Sequence, residues 1–323
     1  MKAKKPAKPR GPTFFGVGAP KAGTSWLYKV LSSYPDCGLP PHKELHFWDV
    51  RHGETVHSFS YVERLKRAAE MAAEIAELAE AEATPDSPSM FADGFMENGK
   101  VPRLIEKLSL YIEPLRFHDV DSYIRYLNRH RRPANGLAGE ITPMYAELRQ
   151  EGFAEMVKWF PDSRFVFIMR DPVERAWSHA RFLTTRDKAI SAAEQNRMIE
   201  LEPIKAPILK GSDYRGTITR LEAVVPRERI HYMFFEPLTD PARVVGQMRG
   251  LESFLDLNPQ PARSLERFAE TPENVSPGWD LSPAGRRRLM GLLGPTYAFV
   301  RERFGSLPKD WADPAKALAE QAS

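Results

Sequence analysis

The chain has 323 residues, of which 42% are hydrophobic, enough for one large α/β domain or two small ones. Its single cysteine, Cys37, excludes an intramolecular disulfide and a cysteine-cluster metal site, and it fits a cytoplasmic protein. No apolar run approaches the roughly 20 residues that cross a bilayer, and the basic N-terminus lacks the apolar segment of a secretory signal.

Positive charge is concentrated at the N-terminus, although the net charge of the chain is only +3. The cations of the first ten residues are Lys2, Lys4, Lys5, Lys8 and Arg10. Prolines separate them, so residues 1–12 are predicted to form a disordered basic tail. A solvated arm is the favoured interpretation, with weak peripheral contact to anionic membrane lipids as the alternative. The remaining chain is slightly negative and lacks the broad positive field of proteins that bind nucleic acid.

The first predicted element is a short apolar strand that leads through a loop of small residues into an amphipathic helix at about 23–33. Such a unit points backbone N–H groups and the helix dipole at an anion. The nearest familiar pattern is the Walker A loop, G-x-x-x-x-G-K-[ST]. Residues 18–25 instead read G-x-x-x-x-G-T-S, and Lys21 stands two residues before the second glycine. The displaced lysine suggests a bound group other than a nucleoside triphosphate.

A segment dense in titratable and aromatic residues follows a predicted loop at 34–41. It runs Pro41-His42-Lys43-Glu44-Leu45-His46-Phe47-Trp48-Asp49, without helical or strand periodicity. His42, His46 and His52 are spaced irregularly and no cysteine accompanies them, so no zinc site is expected. Phe47 and Trp48 are equally compatible with stacking on a sugar and with packing in the core.

Residues 50–133 are predicted to form a helical insertion that covers one end of a sheet, as a substrate lid or as scaffolding. The predicted helices lie at about 58–83, 101–111 and 120–131, with a proline break at 84–89. For Tyr123 and Tyr126 the helical spacing favours core packing.

The second half of the chain alternates between strands and helices. Strands are predicted at 136–142, 164–169 and 230–235, and helices at about 152–160, 172–185, 214–225 and 282–303. The alternation predicts a doubly wound α/β fold with ligands at the carboxyl ends of the strands. Asp171 is expected to cap the helix after the second of these strands, with Pro172 in its first turn.

A second anion site is predicted at the end of the strand 164–169. Arg170 follows the strand directly, and Ser178 lies about two turns into the next helix. A permanent cation and a hydroxyl on one face can grip a terminal phosphate. The alternative is an arginine–carboxylate pair beside a surface serine.

Three segments carry a resemblance to sulfotransferases that use 3′-phosphoadenosine-5′-phosphosulfate (PAPS). The run Pro20-Lys21-Ala22-Gly23-Thr24-Ser25-Trp26-Leu27 looks like the 5′-phosphosulfate loop of that family. The run from Arg170 to Ser178 resembles its 3′-phosphate motif. The segment from Lys43 to Asp49 is similar to one in heparan-sulfate-type and related bacterial carbohydrate sulfotransferases.

The resemblance implies a P-loop-like three-layer α/β fold with a mostly parallel sheet, formed by a single domain over residues 13–323. It implies that residues 20–26, Arg170 and Ser178 bind PAPS without a metal, and that 3′-phosphoadenosine-5′-phosphate (PAP) is released. Glu44 takes the role of catalytic base, with His46 as its rival, since an acceptor hydroxyl needs a positioned base. Lys21 would stabilise the leaving phosphate. The preferred acceptor is a small molecule, a sugar or a glycolipid.

The chain also departs from the family pattern. The run Glu140-Ile141-Thr142-Pro143-Met144-Tyr145 resembles the family's Glu-x-(Ser/Thr)-Pro-x-Tyr segment, but Ile141 stands where carbohydrate enzymes often have lysine. The basic turn over the 3′-phosphate is not recognisable around residues 271–278, whereas Lys210 to Tyr214 loosely fits a bacterial Gly-x-x-Tyr motif. A P-loop small-molecule kinase, distinguished by ATP and Mg²⁺ dependence, and a non-catalytic nucleotide-binding protein are the alternatives.

Overall fold

The computed structural model describes residues 8–53, 61–82, 100–134, 136–185, 191–201, 203–271 and 280–311. A five-stranded sheet lies at its centre, and every strand pair in it is parallel. The strands are β1 (Thr13–Gly18), β2 (Cys37–Gly38), β3 (Leu137–Ile141), β4 (Arg164–Met169) and β5 (Ile230–Phe234), in the spatial order β2-β3-β1-β4-β5. The predicted α/β class is confirmed, with a fully parallel sheet over the described strands.

The helices flank this sheet. They are α1 (Thr24–Ser32), α2 (Phe47–Arg51), α3 (Tyr61–Glu82), α4 (Lys100–Ile112), α5 (Val120–Arg129), α6 (Gln150–Trp159), α7 (Pro172–Thr185), α8 (Ala192–Glu200), α9 (Ala206–Lys210), α10 (Tyr214–Glu222), α11 (Pro241–Leu255), α12 (Ala262–Glu270) and α13 (Pro283–Phe304). The predicted helices lie within a few residues of these bounds. The prediction missed β2, α2, α8, α9, α11 and α12, and the proline break at 84–89 lies outside the described residues.

The sheet places the candidate site at its carboxyl edge. β1 is buried along its whole length, as expected for a strand covered by helices on both faces. β3 and β2 lie on one side of β1, and β4 and β5 lie on the other, so the strand order reverses direction at β1. In open α/β sheets the crevice at such a reversal is where ligands bind.

The aromatic residues of the titratable segment belong to the core. Phe47 stacks on Tyr123 with ring centroids 4.3 Å apart, and Trp48 meets Tyr123 edge to face at 5.7 Å. All three are buried, as is Tyr126. Core packing is therefore confirmed for the two tyrosines, and stacking of a sugar on Phe47 or Trp48 is wrong because both are buried.

Within the described ranges, the helices are all too short or too polar to cross a membrane.

Candidate active site

The loop between β1 and α1 presents backbone amides at the centre of the sheet edge. Gly23 is the N-cap residue that precedes α1, with φ 87°, and no described side chain caps the helix there. A Cβ at Gly23 would lie 2.6 Å from Cδ2 of Phe235, so both the backbone angle and the ring require glycine. The first-turn amides of α1 therefore remain available to an anion.

Lys21 lies in this loop with φ 66° and a partly buried ammonium group. The ammonium sits 4.3 Å from the ring centroid of Phe182, and none of the described carboxylates forms a salt bridge with it. Burial lowers the pKa of Lys21 to about 8. Glu44 raises that pKa, whereas Arg170 and other nearby cations lower it further. The loop is thus a concentration of positive charge.

Arg170 brings the second predicted anion site to the loop. Its Nη1 donates to the carbonyl oxygen of Lys21 at 3.3 Å, and its guanidinium lies 4.6 Å from the ring centroid of Phe235. Tyr214 fixes the backbone of Arg170, since its hydroxyl donates to the Arg170 carbonyl at 2.6 Å and accepts from the Arg170 N–H at 3.2 Å. The end of β4 and the loop after β1 therefore form one site.

The start of α7 follows the sequence prediction. Asp171 Oδ1 accepts from the N–H groups of Val173 at 2.9 Å and Glu174 at 3.0 Å, so the predicted cap is confirmed. The hydroxyl of Tyr297 also donates to Asp171 Oδ1, at 2.8 Å. Ser178 is buried in α7, two turns after this cap.

Glu44, His46 and Asp49 form a row of ionisable side chains near Lys21. His46 Nε2 is 3.4 Å from Glu44 Oε2, and His46 Nδ1 is 2.7 Å from Asp49 Oδ2. Lys43 contacts Glu44 Oε1 through its ammonium group. The N–H of Glu44 donates to the carbonyl of Ile141 at 3.2 Å, and this hydrogen bond joins the segment that carries Glu44 to the end of β3.

The pKa values of Glu44 and His46 distinguish the two candidates for the catalytic base. Partial burial raises the pKa of Glu44, but Lys43 and His46 outweigh it and hold that pKa well below the usual range. Burial of His46 lowers its pKa, but Asp49 and Glu44 overcome this and raise it to about 9. At neutral pH Glu44 is therefore ionised and His46 is protonated, so Glu44 is the group able to accept a proton.

A residue of the predicted helical insertion contacts the segment that carries Glu44 and His46. Arg64 of α3 is buried and donates from Nη2 to the carbonyl of Leu45 at 3.5 Å. Burial lowers the pKa of Arg64, and the nearby Asp49 opposes that shift. The insertion thus contributes a cation beside the buried Asp49.

The three histidines considered as zinc ligands have separate partners. His42 Nε2 lies 3.1 Å from Ser109 Oγ, and His52 Nε2 lies 3.0 Å from Glu155 Oε2. His46 faces Glu44 and Asp49, as described above. Across the described part of the chain, no group of three His, Cys, Asp or Glu side chains is arranged to hold a metal ion.

Other residues of the site carried little signal in the sequence. Asp49 stands three residues after His46, a spacing that could have suggested their contact. Arg175 lies inside the Arg170–Ser178 motif but had no assigned role. Phe235 follows β5, and only the fold brings it against Gly23. Ile141 packs against Gly16, where an added Cβ would lie 2.9 Å from it. The segment 271–278, in which the family's basic turn is not recognisable, lies outside the described residues except for Thr271.

The comparison with protein families covers this whole site. A profile described as the sulfotransferase family matches residues 12–261. The chain belongs to the sulfotransferase family. A comparison with curated proteins finds no significant match.

Solved structures of sulfotransferases align with most of this chain. An enzyme from Alicyclobacillus acidocaldarius gives a TM-score of 0.57 at 22% identity, covering 93% of this chain and 98% of that one. The sulfotransferase STF9 from Mycobacterium avium gives 0.47 at 18% identity, with 94% and 78% covered. A mouse sulfotransferase complexed with PAP gives 0.41 at 13%, with 85% and 72% covered. The first of these alignments confirms the shared fold.

Proposed function

We propose that this sulfotransferase transfers the sulfuryl group of PAPS in line to a hydroxyl of an acceptor. The observation that carries the proposal is the meeting of three charged groups at one loop. Lys21 and Arg170 concentrate positive charge at uncapped backbone amides, and the ionised Glu44 lies close enough to raise the pKa of Lys21. An anion site beside a general base is what transfer to a hydroxyl requires.

The residues present fit PAPS, which carries an anionic group at each end. The loop from Pro20 to Trp26 offers amides and the Lys21 ammonium to the phosphosulfate end. Arg170 and Ser178 are proposed to hold the 3′-phosphate, as the family resemblance implies. When bound, PAPS supplies an activated sulfuryl group, and PAP is what remains after transfer. No metal is included in the proposal.

Three side chains have proposed roles in the transfer step. Glu44 accepts the proton of the acceptor hydroxyl as the oxygen attacks. His46, held by Asp49, keeps the Glu44 carboxylate in place through the charge attraction across the 3.4 Å between Nε2 and Oε2. Lys21 neutralises the negative charge that develops on the departing phosphate oxygen.

For the acceptor we propose a sugar or glycolipid hydroxyl, which rests on the likeness of the Lys43-Glu44-x-His46 segment to carbohydrate enzymes. The apolar Ile141 in place of lysine separates this chain from those enzymes at one position of the site. A cytoplasmic location belongs to the proposal, supported by the lone Cys37, as does weak contact of the basic tail with anionic lipids.

Calorimetry with PAP and with ATP, each with and without Mg²⁺, tests the donor assignment. We expect PAP to bind without Mg²⁺ and more tightly than ATP. Binding of ATP that needs Mg²⁺, with weak binding of PAP, would instead favour a P-loop kinase. A chain that binds PAP but transfers no sulfuryl group to any acceptor would be a non-catalytic nucleotide-binding protein.

A further inference from the structure

Arg175 is a fully buried cation in α7 that the proposed chemistry leaves without a role. Its Nε donates to Ser212 Oγ at 2.5 Å, and its Nη2 donates to the carbonyl of Ile208. Its Nη1 donates to the carbonyl of Pro20 at 3.2 Å and lies 3.4 Å from Nδ1 of His179. Among the described residues no carboxylate forms a salt bridge with it, and the groups that accept its hydrogen bonds are neutral. Burying a charge without a counter-ion is costly, and hydrogen bonds to neutral groups offset only part of that cost.

The surroundings of Arg175 are shaped to hold its planar fork. A Cβ at Gly211 would lie 2.5 Å from Nη1, so the turn before α10 needs glycine for the guanidinium to fit. Ser212 also donates its hydroxyl to the carbonyl of Pro172 at 3.1 Å, which fixes the acceptor of Nε. Tyr214, at the end of the same turn, holds the backbone of Arg170. The bacterial Gly-x-x-Tyr motif therefore braces both arginines.

The two arginines bind consecutive carbonyls of the phosphate loop. Arg175 holds the carbonyl of Pro20, and Arg170 holds the carbonyl of Lys21. A trans peptide points its C=O and N–H in opposite directions, so tying the Pro20 carbonyl to Arg175 turns the Lys21 N–H to the other side of the loop. The arginine contact thereby sets how the loop presents Lys21.

We propose that Arg175 is a positioning residue that fixes the Pro20–Lys21 part of the loop for the 5′-phosphate end of the nucleotide. This inference rests on the proposed function. A lysine at this position keeps the charge but loses the fork, and it cannot reach three oxygens on three segments. Arg175→Lys is therefore expected to lose most of the nucleotide affinity that Arg175 provides, as Arg175→Met does.

Calorimetry with PAP and with adenosine 5′-phosphate separates this role from that of Arg170. Arg175→Met and Arg175→Lys are expected to weaken both ligands by a similar factor, roughly tenfold or more, as for loss of a charged hydrogen bond. Arg170→Ala is expected to weaken PAP by a larger factor than adenosine 5′-phosphate, because it removes the proposed 3′-phosphate contact in addition to the hydrogen bond to the Lys21 carbonyl. Arg286→Met is the control, since Arg286 pairs with Glu174 on the outer side of α7 at 2.7 Å, and it should change neither affinity.

A purely structural role predicts a different pattern. If the Arg175 variants melt at lower temperature but bind adenosine 5′-phosphate with wild-type affinity at full stoichiometry, the inference is overturned. If they do not fold, Ser212→Ala decides, because it keeps Arg175 and removes the acceptor of Nε together with the hydrogen bond to the Pro172 carbonyl, and it should weaken both ligands severalfold. Unchanged affinity in Ser212→Ala would then reject the proposal. A wild-type protein that does not bind PAP would refute the proposed function instead.

Discussion

Replacing Glu44 with glutamine is expected to remove nearly all sulfuryl transfer while leaving PAP binding close to that of the wild type. Glutamine keeps the shape of the side chain but cannot accept the proton of the acceptor hydroxyl. Loss of a general base typically lowers kcat by about 10²–10⁴-fold. Steady-state kinetics with PAPS and calorimetry with PAP measure the two quantities separately.

The matched control is Glu228→Gln, which changes an exposed carboxylate in the turn before β5 and should leave kcat unaltered. Two outcomes would contradict the role given to Glu44. Loss of PAP affinity in Glu44→Gln would make the residue part of the binding site or the fold. Near wild-type kcat in Glu44→Gln, with a large loss in His46→Gln, would make His46 the base.

Replacing Lys21 with methionine is expected to lower kcat by about 10²–10³-fold, as for loss of one group that stabilises developing charge. Methionine retains the bulk of the buried stem, so Phe182 keeps a neighbour. Lys158→Met, on the exposed side of α6, is the control and should leave kcat unaltered. A change confined to the KM for PAPS would show that Lys21 only binds the donor.

The pH dependence of kcat/KM gives a second test of Lys21. Its pKa is lowered to about 8, so its charge is present below that pH and is lost as the pH rises through it. Since kcat/KM reports groups of the free enzyme, it should fall above about pH 8, whereas the low pKa of Glu44 predicts no acidic limb near neutrality. Lys21→Arg should move the alkaline limb upward. An unmoved limb would assign it to another group, such as His46.

The parts of the site that are local in sequence could be predicted from the sequence. The strand, the glycine loop and the helix start were placed correctly because turn chemistry and apolar runs decide them within a few residues. The cap at Asp171 followed from the same kind of signal. The meeting of Arg170 with the loop could be anticipated, since both follow parallel strands.

Features made by distant segments could not be predicted in this way. α2 escaped detection because its five residues, Phe47–Arg51, are buried on more than one face and leave no helical period. The contact of Phe235 with Gly23 depends on β5 lying two strands from β1. The oxygens that bind Arg175 come from the loop, α9 and the turn after it, and nothing in the local sequence marks these segments as neighbours.

The most direct test of sulfuryl transfer uses PAPS labelled in its sulfuryl group and a panel of hydroxyl acceptors, with sugars and glycolipids included. The expected result is transfer of the label to an acceptor with release of one PAP per transfer, in wild type and not in Glu44→Gln. The account would be contradicted if the label stayed on PAPS with every acceptor while ATP and Mg²⁺ supported phosphorylation of one of them.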